Sequence, residues 1–278
     1  MRKTFYYLEL FEREYFSKAF PDASLYDGDF SGNEEDAEIV CIRGKSAFFG
    51  ADAIKKFPSI RFLATRSVGM DNVDLEACKS AGVEVRNAPG YANDAVSSHA
   101  LKMLEKLGVS LKKKKLGLVG AGRIGRKLAE KAIGLGAAVV AYDVVKDEAE
   151  AKRIGFKYVE LGEVLACDVV SVHVPLLPQT RHLVNAEALK KMGNGAVLVN
   201  TARGGIVDEA ALLKELPRLG GACLDVVEGD DFDSPAAREL ASKPNVVLTR
   251  HEAFNSREAL RKRCEITERN IRLFEGEE

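Results

Sequence analysis

Residues Val119-Gly120-Ala121-Gly122-Arg123-Ile124-Gly125 read Gly-x-Gly-x-x-Gly, and Asp143 stands 18 positions after the last of these glycines. Apolar Leu116-Gly117-Leu118-Val119 leads into the turn, helical spacing follows from Lys127 to Ile133, and a second apolar run covers Ala138 to Tyr142. The order strand, glycine turn, helix, strand, acid is what a dinucleotide-binding βαβ unit requires. Gly120 allows a tight turn at the strand end. Gly122 lets the backbone approach a pyrophosphate, whose charge a helix N-terminus attracts. Gly125 permits close packing of helix on strand. Asp143 can accept hydrogen bonds from ribose hydroxyls and repels a 2′-phosphate, so NAD is expected rather than NADP, a preference that Lys146 weakens slightly.

The rest of the chain continues that alternation. Before the turn, strands are predicted at Thr4–Leu8, Glu38–Ile42, Arg61–Thr65 and Glu84–Arg86, and helices at Phe11–Phe20, Ala51–Phe57 and Leu75–Ser80, the last capped by Asp71 or Asn72. Pro89-Gly90 breaks the pattern, and a helix from Asn93 to Leu107 leads into the glycine motif. Beyond it, strands are predicted at Val169–Val174, Ala196–Asn200, Gly221–Val226 and Val246–Thr249, separated by helical stretches. A doubly wound parallel α/β sheet follows from that order. A long charged helix, Ser256 to Phe274, closes the chain and can pack back on the first domain.

Length and composition narrow the function classes. The 278 residues suffice for two cores, and 46% hydrophobic with 30% charged residues is ordinary for a globular protein. A formal net charge of −1 predicts no general attraction to nucleic acid or to an anionic membrane. The basic run Lys112 to Lys115 reads as a solvated entrance to the glycine-motif strand. Cys41, Cys78, Cys167, Cys223 and Cys264 are odd in number and form no Cys-x-x-Cys pair, which predicts no disulfide framework, no metal site and a reducing, cytoplasmic setting. No signal peptide is read in the first residues, and no apolar run is long enough to span a membrane.

Ligands of such sheets lie beyond the carboxyl ends of the strands, so polar residues there are the candidates: His173, Arg203, Asp225, Asp230 and His251. Arg203, in Asn200-Thr201-Ala202-Arg203-Gly204-Gly205, offers a permanent two-pronged cation to a carboxylate. His251 can exchange a proton near neutral pH, and a carboxylate at Asp230 paired with it would favour its protonated form. A cation and a carboxylate–imidazole pair beside a nicotinamide suit reduction of a 2-oxo acid.

At these residues the chain resembles the D-isomer-specific 2-hydroxyacid dehydrogenases, especially their D-lactate dehydrogenase branch. The likeness covers about residues 38 to 275 and is carried by Ser67-Val68-Gly69-Met70-Asp71-Asn72-Val73-Asp74, the glycine motif, Ser171-Val172-His173-Val174-Pro175-Leu176, residues 200–208 and His251-Glu252-Ala253-Phe254-Asn255. It implies a Rossmann domain inserted into a smaller flavodoxin-like substrate domain: residues 1–93 for substrate, 94–253 for NAD, and a helix over 254–278 returning to the first domain. It implies a small 2-oxo acid or 2-hydroxy acid as substrate, and roles by position. Arg203, Asp230 and His251 match the catalytic set: a substrate-binding arginine, a histidine-orienting acid and a proton donor. Val68, Gly69, Tyr91 and Arg203 match substrate contacts. Gly120, Gly122, Arg123, Ile124, Gly125, Asp143, His173, Val174, Pro175, Thr180, Thr201, Ala202, Arg203, Asp225 and His251 match cofactor contacts.

Three departures stand out. Aspartate replaces the usual glutamate at 230, which predicts a looser pair. Arg250 and Glu252 flank His251, where proline and an uncharged residue are usual. The stretch from His99 to Leu116 is shorter than in relatives, where it forms a dimerisation arm, so a monomer or a weaker, rebuilt homodimer is expected. His99 itself reads as a structural helix residue. The departures also admit an NAD-binding sensor or corepressor-like protein that has lost fast chemistry.

Overall fold

β-Branched apolar runs become strands and the charged stretches between them become helices, in the computed structural model of the chain, which describes residues 1–30, 36–44 and 46–277. Two units emerge: Met1–Ala92 with Ser256–Glu278, and Asn93–Asn255.

The first unit holds β1 (Lys3–Phe5), α1 (Leu10–Ala19), β2 (Ser24–Leu25), β3 (Ile39–Ile42), α2 (Ala51–Ile54), β4 (Phe62–Thr65), α3 (Leu75–Ser80) and β5 (Glu84–Arg86). Its five strands are all parallel in the order β2-β1-β3-β4-β5, the flavodoxin-like arrangement. In the second unit come α4 (Asn93–Lys106), β6 (Lys115–Val119), α5 (Arg123–Gly134), β7 (Ala138–Tyr142), α6 (Glu148–Ile154), β8 (Lys157–Tyr158), α7 (Leu161–Leu165), β9 (Val169–Val172), α8 (Ala186–Lys191), β10 (Val197–Asn200), α9 (Glu209–Glu215), β11 (Gly221–Leu224), α10 (Pro235–Ser242) and β12 (Val246–Leu248). The sheet order β12-β11-β10-β9-β6-β7-β8 reverses direction between β6 and β9, the switch point at which a Rossmann sheet binds its ligand. The chain ends on α11 (Arg257–Glu275), so the expected α/β fold class is present.

Both faces of the second sheet are covered. Leu116, Leu118, Val169, Val197 and Val199 face one core, and Val119, Val170, Val172, Leu198 and Leu224 face the other. That double burial is why these strands read as continuous apolar runs. In the first unit α11 supplies Cys264, Ile271 and Phe274 to a core with Phe5, Phe16 and Phe62, and the Phe62 and Phe274 rings stack with centroids 4.5 Å apart. Polar side chains start the helices: Asp74, Asp147, Asn185, Asp208, Ser234 and Ser256 each accept from a backbone N–H one turn on.

Several boundaries differ from the sequence reading. α3 is capped by Asp74, while Asn72 donates to the carbonyls of Arg43 and Ser46. β1 stops at Phe5 rather than Leu8, where Tyr7 takes a φ of +54°. The two-residue strands β2 and β8 are too short to leave a period in the sequence. Residues 107–114 alone join α4 to β6, and Lys112 to Lys115 are exposed there. All five cysteines are buried and free. Among the described residues no helix is long and apolar enough to cross a membrane, and no cluster of His, Cys, Asp and Glu could hold a metal ion.

Candidate active site

At the switch point β6 ends in a turn that only glycine can make. Gly120 has a φ of +99°, and a Cβ there would lie 2.9 Å from the His173 carbonyl carbon. A Cβ on Gly125 would lie 2.3 Å from the Gly120 oxygen, so α5 could not seat so closely with any other residue. Gly122 differs from both: it is the N-cap of α5, with nothing within 4 Å of an added Cβ. Asp143 reaches back from the end of β7, accepting from the Ala121 amide at 2.7 Å and the Val145 amide at 3.0 Å. Arg126 spans the same gap, donating to the Ala121 carbonyl and to Asp147. Beside Asp143 the side chains of Val144 and Val145 are exposed, an apolar shelf next to this acid.

The far side of the turn is β9 and the loop after it. The His173 amide donates to the Val119 carbonyl at 2.7 Å, and its Nε2 lies 2.9 Å from Ser171 Oγ. Desolvation of the ring lowers its pKa to about 4, so the imidazole is neutral. Thr180 Oγ1 donates to the Pro175 carbonyl at 2.6 Å and accepts from the Leu177 amide, closing the loop that begins with Val174. On the next strand end Thr201 is buried, and its Oγ1 has no hydrogen-bond partner. The open Gly122, the helix amides above it and this orphaned hydroxyl fit a dinucleotide.

Two outcomes follow. Gly122→Ala leaves folding stability within about 1 kcal/mol, because its methyl meets no protein atom; it weakens NADH binding about tenfold in calorimetry, since the methyl intrudes where the pyrophosphate approaches. His173 is harder to protonate folded than unfolded, so its contribution is present above pH 6.5 and is lost as pH falls toward 4. Urea titrations should show His173→Asn losing less stability than the parent between those limits, by up to about 1 kcal/mol per pH unit.

Arg203 leaves β10 through a loop held by Asn200, whose side chain accepts from the Ala202 amide at 3.0 Å and donates to the Arg203 carbonyl at 2.9 Å. The guanidinium donates to the Ala202 carbonyl. Gly204 presses this loop onto the next one: a Cβ there would lie 1.9 Å from the Val227 carbonyl carbon and oxygen. Val227 opens the turn Glu228–Asp230, and Asp230 Oδ2 lies 2.6 Å from His251 Nδ1. Gly229, Asp230 and His251 all have positive φ (67°, 54° and 48°). This left-handed backbone, which costs a non-glycine residue about 1 kcal/mol or more, lets the shorter aspartate reach the imidazole. The pair is therefore tight rather than loosened by the missing methylene.

His251 is held from beneath by Asp225. Its amide donates to the Asp225 carbonyl, and the buried Asp225 carboxylate accepts from Thr249 Oγ1, the Glu252 amide and the Ala253 amide. His99, on α4, lies 3.0 Å from Thr249 Oγ1 and 3.5 Å from Asp225. Arg250 is drawn over the Phe232 ring and toward Asp233, at 3.9 Å.

In the first unit Val68 and Gly69 follow β4. Ser67 Oγ donates to the Gly69 carbonyl, Asn87 Nδ2 donates to the Val68 carbonyl at 2.6 Å, and Asn270 of α11 donates to the Asn87 carbonyl. Just before the loop, buried Arg66 and buried Arg263 of α11 share one carboxylate, Glu12. Burial pushes Glu12 up, but the two guanidinium groups outweigh it and hold the acid below its usual range. Tyr91 lies against Arg263; burial raises its phenol, and the cation partly offsets this. Asn200, Ser171, Glu12, Arg66 and Arg263 were not among the sequence candidates. Glu12, Arg66 and Arg263 pair across long sequence separations and leave no motif, whereas Ser171 and Asn200 lie within the motif segments but act on a neighbouring imidazole and on backbone atoms.

The glycine turn after β6, the arginine loop after β10 and the acid–histidine pair after β11 and β12 thus lie at the carboxyl ends of strands of one sheet. A family model described as D-isomer specific 2-hydroxyacid dehydrogenase, NAD binding domain, matches residues 84–253. A hydroxypyruvate reductase of Thermotoga maritima is 34% identical over 237 residues, 76% of each chain. A glyoxylate reductase of Thermococcus litoralis is 31% identical over 99% of this chain and 89% of its own. The solved D-lactate dehydrogenase of Aquifex aeolicus, complexed with NAD and lactic acid, superposes with a TM-score of 0.87 at 29% identity, covering 99% of this chain and 96% of that one. The family model's NAD binding domain and the neighbour's NAD complex support the expected NAD, and the chain belongs to the D-isomer specific 2-hydroxyacid dehydrogenases.

Proposed function

We propose that this enzyme reduces small 2-oxo acids to D-2-hydroxy acids, with lactate-sized substrates foremost. The observation that carries this is the 2.6 Å Asp230–His251 contact, on a sheet whose neighbouring strand end presents Arg203. The cofactor would be held by the helix amides above Gly122, with Arg123 and Ile124 in the first turn, by Asp143 at the ribose, and by His173, Val174, Pro175, Thr180, Thr201 and Ala202 along the strand ends. Bound there, NADH would supply the hydride for the substrate's C2.

The chain's own residues do the rest. Arg203 binds the carboxylate and polarises the carbonyl, so charge developing on oxygen meets a fixed cation. Asp230 holds Nδ1 of His251, which leaves Nε2 to give its proton to that oxygen. Asp225 keeps the loop in place beneath the imidazole. Val68, Gly69 and Tyr91 keep the substrate-contact roles that the family resemblance implies by position. The sensor reading stood on the departures at 230, 250 and 252 and on the shortened segment, and the close Asp230–His251 contact removes the first of these grounds.

The test is a panel of pyruvate, 2-oxoisocaproate, phenylpyruvate, glyoxylate and hydroxypyruvate, with NADH and NADPH in parallel and chiral analysis of the product. Turnover with NADH to the D-isomer supports the proposal. NADH binding without turnover of any of the five, or an L-product, defeats it.

A further inference from the structure

The turn that presents Asp230 begins with Glu228, a residue to which no catalytic role falls by position. Glu228 is pinned from three sides. Its amide donates to Glu209 Oε1 at 2.6 Å, at the start of α9, where Glu209 is buried and its carboxyl is raised by that burial. Its carboxylate is ion-paired with Arg181 through one oxygen and lies 3.3 Å from His182 Nε2 through the other. Gly204 closes the third side, against the bond between Val227 and Glu228.

Its two side-chain partners belong to the loop that runs from Pro175. Thr180, next to Arg181, ties that loop together, and the His182 amide donates to the Gly205 carbonyl at 2.9 Å, within the arginine loop. His182 holds this place with a φ of +49°. A backbone bent against its preference is kept only where its surroundings over-determine it. Here two such bends, at His182 and at Asp230, sit on either side of one carboxylate. Glu228 is partly solvent-exposed, so the arrangement is not a consequence of core packing.

We propose that Glu228 is a positioning residue: through Arg181 and His182 it sets the turn that aims Asp230 at His251, and so couples the cofactor-facing loop of residues 175–182 to the proton donor. This rests on the reading of Asp230 and His251 as the acid pair. Glu228 touches neither substrate nor cofactor in this scheme. It acts by fixing a backbone, as outer partners orient inner ones in other sites.

Arg181→Gln separates this from a plain charge effect. Removing a cation near an imidazole makes that imidazole easier to protonate, so by field alone the alkaline limb of kcat/KM would move to higher pH. Loss of positioning slackens Asp230 and moves the same limb to lower pH. Arg181→Gln and Glu228→Gln are therefore compared with the parent on the best 2-oxo acid of the panel, across pH about 5 to 10. Both should lower kcat roughly three- to tenfold and move the alkaline midpoint down by about half a unit or more, with NADH affinity and melting temperature near the parent's. Arg181→Lys, which keeps the ion pair, should restore most of the loss. An upward shift in Arg181→Gln, an unchanged midpoint in both variants, or losses that only track melting temperature would overturn the proposal. His251→Gln is the internal control: if it stays active, the acid assignment falls and this proposal with it. If it is inactive while the Glu228 and Arg181 variants match the parent, only the positioning role falls.

Discussion

His251→Gln lowers kcat for 2-oxo acid reduction by about a hundred- to ten-thousand-fold, while NADH binding measured by fluorescence changes by less than about threefold. The two quantities separate because the imidazole is made useful by one contact, to Asp230, and is held by another, from its own amide to the Asp225 carbonyl. Glutamine keeps the amide and therefore the loop. It cannot carry a transferable proton. Asp230→Asn tests the other half of the pair: it keeps a hydrogen bond to Nδ1 and removes the charge that favours the imidazolium, so its kcat falls by roughly ten- to a hundredfold, most steeply at high pH. Equal, small losses in both variants would show that the proton comes from elsewhere.

What the sequence disclosed follows the range over which each signal acts. The glycine turn and Asp143 were legible because a phosphate-binding turn and its acid lie on one strand–helix–strand unit, and the bond from Ala121 to Asp143 spans only 22 positions. Strand identity was legible because sheets covered on both faces need apolar residues at every position. Strand ends were less so. Val226 and Val227 remain apolar past the end of β11 because the loop after it is buried too, so hydrophobicity alone overran the boundary. The shared ion pair of Glu12 with Arg66 and Arg263 joins residues 54 and 251 positions apart, and nothing in either neighbourhood marks it. The reach of Asp230 was misjudged for a related reason. Side-chain length was visible in the sequence, but the left-handed backbone that compensates for it was not.

Gly204→Ala brings the second large effect, and it tests whether the site is one object or several. The cation and the acid ride on separate loops, after β10 and after β11, and only the bare α-carbon of Gly204 lets them touch. An added methyl would sit 1.9 Å from the carbonyl carbon and oxygen of Val227 and 2.4 Å from the Glu228 amide nitrogen. Ordinary contact needs about 3.4 Å, so the loops must part by about 1.5 Å, and the obstacle is backbone that cannot swing aside as a side chain would. Overpacking of this kind costs about 1–3 kcal/mol of stability, readable in urea titrations. The catalytic loss should be larger than that cost suggests. Parting the loops moves Arg203 away from Asp230 and His251 together, and displacements of about 1 Å are worth a hundredfold where positioning does the work. kcat/KM is therefore expected to fall at least a hundredfold, whereas NADH binding at the glycine turn on β6 persists. Gly193→Ala, whose methyl meets nothing within 4 Å, supplies the control and should behave as the parent. If Gly204→Ala retained parental kcat/KM, the two loops would be free to separate without consequence, and the arginine and the acid–histidine pair would not form a single preorganised site.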